Sequence, residues 1–326
     1  MTEVLPLQQG DTGEAVRDLQ RRLTALGYEI PAAESGTFGE HTSLAMAAFR
    51  AQHGLDPTHS CDRAAWAALV EAGYRLGDRL LYHRSPMLRG DDIAELQRQL
   101  SALGFASGRV DGIFGPETEH ALRELQRNAG ITSDGVCGRD TLLALQRLGT
   151  RTDGEASFSR VRQVEDLRGA SRFLHERRVA LADPSPASTL VSALQHRLAA
   201  SGASVITLSD PDPSARAGAA NEFAADVFLE IEILEEPGCR TAYFAAPGFE
   251  SVGGKRLAHL VSEHVAGALD GGGTDVDGMR LPVLRETRMP AVVCRVGPTR
   301  QVVSRSEALA NALADALEAW VTEPLP

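Results

Sequence analysis

At 326 residues, with 43% hydrophobic and 24% charged side chains, the chain has the composition of a globular protein large enough for two or three domains. A net charge of -11 excludes the broad positive face that binding to nucleic-acid phosphates or anionic lipid demands. The first residues carry neither a basic region nor an apolar run, and nothing later approaches the ~18 apolar residues of a membrane span, so the reading is cytoplasmic with no transmembrane segment.

Residues 13–73 and 90–149 carry one pattern twice. Val16, Leu19, Leu23 and Leu26 line a helical face that stops at Gly27, and Ile93, Leu96, Leu100 and Leu103 repeat the spacing before Gly104. TFGEHT (37–42) matches IFGPET (113–118), each a glycine turn entering a second helix whose inner face carries Ala45 and Phe49, or Ala121 and Leu125, and which stops at Gly54 or Gly130. Cys61 and Cys137 fall at equivalent points before a third helix that buries Trp66 and Leu69, or Leu142 and Leu145. With Cys239 and Cys294 these are the only cysteines, too few for a disulfide framework, and they read as structural thiols.

The segments LQRQLSALGF, VDGIFGPET and SDGVCGRDTLLAL resemble the peptidoglycan-binding repeat (PGBD, type 1). The resemblance implies three-helix modules over 1–75 and 76–149, with a shallow groove for glycan or stem peptide near the VDGxFG turn. The second copy keeps that turn, so Phe105, Asp111, Gly112, Phe114 and Gly115 are the candidate glycan-, peptide- or partner-binding residues. The first copy has Ser35-Gly36 before Thr37 and reads as structural. The leucines and glycines of the pattern are packing and capping residues in their own right, so the residues alone fix the fold rather than the ligand. Between the copies, YRLGDRLLYH (74–83) reads as a solvated connector or a partner surface.

Residues 150–177 mix charges of both signs with Ser and Gly and read as a linker, partly helical. From 178 to 326 apolar alternation takes over. The strand VALAD, a helix through Leu190, Leu194 and Leu198, and the strand SVITL form a βαβ unit. There follow a helix over 215–224, the strand DVFLEIEIL, the strand TAYFAA, a helix through Leu257, Leu260 and Val265, the strand AVVCRVG and a last helix to Trp320. This order predicts an α/β domain with a mostly parallel sheet and helices on both faces. The run GGGT (271–274) lacks the lysine of a phosphate loop and reads as a flexible crossing.

Asp183-Pro184, Leu198 with Gly202, Arg216 with Ala220-Asn221, Ala225-Asp226 and Met289-Pro290-Ala291 together resemble the zinc N-acetylmuramoyl-L-alanine amidases (Amidase_3). That family supplies two His and one Glu to zinc and a catalytic Glu. On this chain the loop His position is Pro186, the strand His position is Glu232, the catalytic Glu position is Arg295, and the segment for the Glu ligand is shortened. Three protein ligands and a free position for water are what such a zinc requires, and a guanidinium is no base. The resemblance therefore implies no catalytic residues, no metal and no cofactor, with Glu232 and Arg295 forming an ion pair. His53, His59 and Cys61 match no metal-ligand spacing, and His259 and His264 fall on different helix faces.

Two such repeats ahead of a degenerate amidase domain resemble an actinobacterial family of cytoplasmic regulators of peptidoglycan synthesis. The partners this implies are UDP-N-acetylglucosamine enolpyruvyl transferase, a Ser/Thr kinase and, through the second repeat, a muropeptide or peptidoglycan precursor. The competing expectations are an active amidase and a muropeptide sensor.

Overall fold

A computed structural model describes residues 5–56, 58–149, 158–184, 188–246, 249–269 and 273–325, in two compact units, Met1–Ser159 and Arg160–Pro326. The first unit is helical. Its first copy is α1 (Glu14–Ala25), α2 (Glu40–Gln52) and α3 (Arg63–Ala72), and its second is α4 (Asp91–Ala102), α5 (Pro116–Asn128) and α6 (Arg139–Gly149).

The periodicity does what it predicts. Val16, Leu19 and Leu23 of α1 pack with Phe38, with Ala45, Met46 and Phe49 of α2, and with Leu69 of α3. Ile93, Leu96 and Leu100 pack with Phe114, Ala121, Leu122, Leu125 and Leu145 in the second copy. Each such side chain contributes roughly 1.5–3 kcal/mol on leaving water. Trp66 is a correction: Ala65 is the fully buried residue beside Leu69, and the indole lies half-buried at the rim with the Arg22 guanidinium 5.3 Å from its ring.

Leu7 pairs antiparallel with Cys61, and Leu81 with Cys137, so the opening residues of each copy are stitched to the loop before its third helix. The stitching closes over both thiols, and burial pushes each up to about 12. The connector is turns rather than a helix or strand apart from this bridge. Arg79 holds it in place: Nε donates to Asp92 Oδ2 at 2.7 Å, Nη2 donates to the Arg89 carbonyl at 2.6 Å, and the guanidinium lies 3.9 Å from the Tyr74 ring.

In the second unit, α7 (Phe158–Gly169) precedes β1 (Arg178–Ala182), α8 (Ser188–Ala200), β2 (Ser204–Leu208), α9 (Pro213–Glu222), β3 (Val227–Ile233), β4 (Gly238–Ala246) and β5 (Phe249–Glu250). Then come α10 (Val252–Ala268), β6 (Gly273–Met279), α11 (Pro282–Glu286), β7 (Ala291–Gly297), α12 (Thr299–Ser304) and α13 (Ser306–Thr322). Part of the expected linker is therefore folded: Leu167 of α7 lies in the core, and Gln163 accepts from the Val252 amide at 3.0 Å at the start of α10.

The sheet runs β2-β1-β3-β7-β4-β5, with β6 on β4. β2, β1, β3 and β7 are mutually parallel, while β4 runs antiparallel to β7 and carries β6 parallel to itself. Leu229, Ile231, Val292 and Cys294 face the core built by α8, α10 and α13, where the fully buried Trp320 donates from Nε1 to the Gly253 carbonyl at 2.9 Å. Alternation sends Phe228, Glu230, Glu232, Val293 and Arg295 to the other face, which α9 and α11 cover in part. The reading of GGGT as a flexible crossing is corrected for its second half: Gly273 and Thr274 open β6, paired with Gly238 and Cys239, while residues 271 and 272 lie outside the described residues.

Candidate functional site

The VDGxFG turn of the second copy is held from inside. Gln97 is buried on α4, a polar residue within an apolar face. Its Nε2 donates to Asp111 Oδ1 (2.9 Å), the Ile113 carbonyl (3.1 Å) and Thr118 Oγ1 (3.0 Å), and its Oε1 accepts from the amides of Asp111 and Gly112. Gln126 on α5 repeats the arrangement with Asp134 Oδ1 (2.8 Å), the Val136 carbonyl, Thr141 Oγ1 and the Gly135 amide. In the first copy Gln20 grips residues 34–42 in the same way, and the buried Arg50 takes the place of Gln126, donating to the carbonyls of Asp56 and Ser60.

These contacts assign work to the predicted binding residues. Phe114 is fully buried in the repeat core and offers no surface to a ligand, which corrects its place among the groove residues. Gly112 sits at φ +72, and a Cβ there would meet the Gly90 carbonyl at 2.9 Å, so the glycine is a backbone requirement. Asp111 receives the Ile113 amide at 2.8 Å as well as Gln97, Phe105 packs against the core edge, and Gly115 precedes α5. The first copy, read as structural, carries an open depression of about 810 Å³ lined by Gln8, Gln9, Glu40, Ser43, Leu44, His59 and Ser60.

In the second unit the register of β3 and β7 makes Glu232 and Arg295 direct partners. Arg295 Nε donates to Glu232 Oε2 at 2.6 Å, with the two side chains 26% and 31% exposed. Pro186 lies outside the described residues. One strand step inward is a pair that the sequence reading missed: Arg216 of α9 donates from Nε and Nη2 to Glu230 at 2.9 and 3.0 Å, both residues under 5% exposed. Its signal was a second glutamate at alternate spacing in the apolar strand VFLEIEI, since a buried carboxylate calls for a cation. Glu230 is raised to about 7: burial pushes it up, the Arg216 guanidinium pulls it down by less, and the nearby Glu232 carboxylate adds to the rise. Asn221 ties α9 to the end of α11, donating to the Glu286 carbonyl and accepting from the Arg288 amide, both at 2.8 Å.

Zinc does not suit these donors. The carboxylate at the strand position is already bonded to a guanidinium, which would repel a dication. Among the described residues no three His, Cys, Asp or Glu side chains gather as a metal site. His53 stacks on Phe49 at 4.2 Å, His59 Nδ1 meets Ser43 Oγ at 3.1 Å, and Cys61 is buried, so these three do not converge.

The helical copies match the peptidoglycan binding domain family over residues 12–69 and 89–145. With the α/β domain behind them, they define a peptidoglycan-related protein of amidase type. The chain is 33% identical to N-acetylmuramoyl-L-alanine amidase CwlM of Mycobacterium tuberculosis, across 89% of this chain and 81% of that one, and it belongs to the CwlM family. N-acetylmuramoyl-L-alanine amidase CwlL of Bacillus licheniformis is 28% identical across 44% of this chain and 45% of its own length. Among solved structures, N-acetylmuramoyl-L-alanine amidase AmiC2 of Nostoc punctiforme aligns with 48% of this chain and 100% of its own, at 16% identity and a TM-score of 0.37. Among the described residues no helix is long and apolar enough to cross a membrane.

Proposed function

We propose that the chain is a catalytically inactive amidase homologue that acts in the cytoplasm on peptidoglycan precursor synthesis, by binding and activating UDP-N-acetylglucosamine enolpyruvyl transferase. The observation that supports the inactivity is the Arg295–Glu232 pair at 2.6 Å, and the regulatory part rests on the resemblance of the repeats and degenerate domain alone. An amidase of the zinc type needs a metal with three protein ligands, an open position for water and a carboxylate that takes a proton. On our reading of the resemblance, these functions correspond to residues 186, 232 and 295, where this chain has a proline, a carboxylate committed to a cation and a guanidinium that stays protonated. The names of CwlM and CwlL, which describe amidases, favour the competing reading of an active enzyme.

Elemental zinc analysis of chain purified without chelator, muropeptide release from peptidoglycan, and transferase rate with added chain test the proposal together. The expected results are far less than one zinc per chain, no release and a faster transferase. Stoichiometric zinc with released product overturns the inactivity. An unchanged rate without co-purification overturns the regulation. Control by a Ser/Thr kinase belongs to the same reading and is checked by phosphosite mapping of chain isolated from its native cell.

A second reading, recognition of a muropeptide or precursor, draws on the depression of the first copy. Its polar lining of Gln8, Gln9, Ser43, Ser60, Glu40 and His59 beside the exposed Leu44 suits a ligand with hydroxyls, amides and methyl groups. Calorimetric titration with a muropeptide, lost in Ser43→Trp, supports it; equal binding by that variant removes the depression from consideration.

A further inference from the structure

The sheet ends in β6. It pairs with β4 in parallel register from Gly238↔Gly273 to Phe244↔Met279, and among the described residues no other strand pairs with it. In such a ladder successive backbone groups point alternately to the two sides, so half of the strand's N–H and C=O groups face away from β4. Gly273, Thr274, Asp275, Asp277 and Gly278 are exposed, whereas Val276 packs against the core and anchors the strand. Asp275 and Asp277 share the face opposite Val276. Arg240 reaches Asp275 only at 3.8 Å, with side chains 55% and 63% exposed, a pair that water screens heavily.

Backbone pairing along a free edge is blind to sequence, so side-chain charge decides what docks there. A second copy approaching by the same edge brings aspartates beside aspartates, and like charges across a strand pair are destabilising. An antiparallel strand with Lys or Arg at alternate positions sets their Cβ atoms about 4.5–5.5 Å from those of the aspartates, within reach of an ion pair. We propose that β6 is a docking edge for an extended basic segment of a partner protein, which adds to the sheet beyond Met279 and Gly273 as one more strand. The inference goes beyond the transferase reading and does not depend on it.

The test uses the full chain and amide hydrogen exchange read by mass spectrometry. Three synthetic probes are compared: the heptapeptide Lys-Val-Lys-Val-Lys-Val-Lys, the same peptide N-methylated at alternate amides, and Glu-Val-Glu-Val-Glu-Val-Glu. The basic peptide is expected to slow exchange selectively in residues 273–279, while the other two leave it unchanged. The Asp275→Asn/Asp277→Asn variant is expected to bind the basic peptide about fivefold more weakly, from two cross-strand charge pairs of 0.2–1 kcal/mol each. Absence of protection by the basic peptide overturns the proposal. Equal binding of the N-methylated peptide overturns the strand geometry and assigns the attraction to net charge, and equal protection by the acidic peptide overturns the charge selection. A dimer in sedimentation that protects the same residues replaces the basic partner with a second copy.

Discussion

Gln97 and Asp111 are joined twice, through Nε2 to Oδ1 at 2.9 Å and from the Asp111 amide to Oε1 at 3.1 Å. The pair turns an exposed-looking loop motif into the internal scaffold of the second copy. Gln97→Ala removes one amide, strands the buried Gly112 amide and takes a donor from Asp111, the Ile113 carbonyl and Thr118, whose hydroxyl keeps its own bond to the Ser107 carbonyl. The expected cost is about 3 kcal/mol, since each orphaned buried polar group costs roughly 1–3 kcal/mol. Urea denaturation of the variant checks it, and a loss under about 1 kcal/mol shows that water replaces the glutamine.

The two guanidinium–carboxylate pairs differ in depth, and their removal differs accordingly. Arg216→Ala leaves Glu230, 2% exposed, without its cation and is expected to cost about 3–5 kcal/mol. Arg295→Ala leaves a carboxylate that water reaches and is expected to cost about 1 kcal/mol or less. Thermal unfolding of both variants against the parent decides, and equal losses refute the distinction.

Glu230 is expected to titrate near 7 in a carboxyl-carbon NMR experiment, and Glu232→Gln is expected to lower that midpoint by removing the neighbouring negative charge. The unfolded chain releases this proton near 4.5 while the folded chain keeps it to about 7. The folded state therefore binds more protons within that window, and this residue's contribution to stability falls as pH rises across it. A midpoint near 4.5 would mean that Arg216 outweighs burial.

Cys61 and Cys137, each held up to about 12, are expected to resist a disulfide reagent at pH 8 in the native chain and to react at once in urea. Absorbance counting of released thiolate checks this. Fast reaction in the folded chain would mean that the bridges at Leu7 and Leu81 open readily.

The helical copies were legible because their apolar spacing is strict and their helices stop at glycines. β1, β3, β4 and β7 were legible because buried strands read as apolar runs, and the half-exposed β2 because Val205 and Ile206 are β-branched and follow the glycine that ends α8. GTDVDGM was not, since an edge strand with exposed aspartates and glycines takes its conformation from the β4 ladder rather than from its own side chains. The five-residue α11 is likewise too short for periodicity to register. At the site, Glu232 and Arg295 were paired correctly from their strand positions, whereas Arg216 and Glu230 depend on a helix–strand contact that spacing does not reveal. Phe114 was misassigned because an aromatic beside a glycine turn reads the same in sequence whether it faces solvent or the core.

The bridges from Leu7 to Cys61 and from Leu81 to Cys137 bring the beginning of each three-helix copy alongside the approach to its last helix. Each stretch between bridged residues is thereby a loop fastened within one copy, with the third helix continuing from the fastening point. The closure draws on that copy's own residues, so a graft that exchanges one copy should carry both bridged positions together.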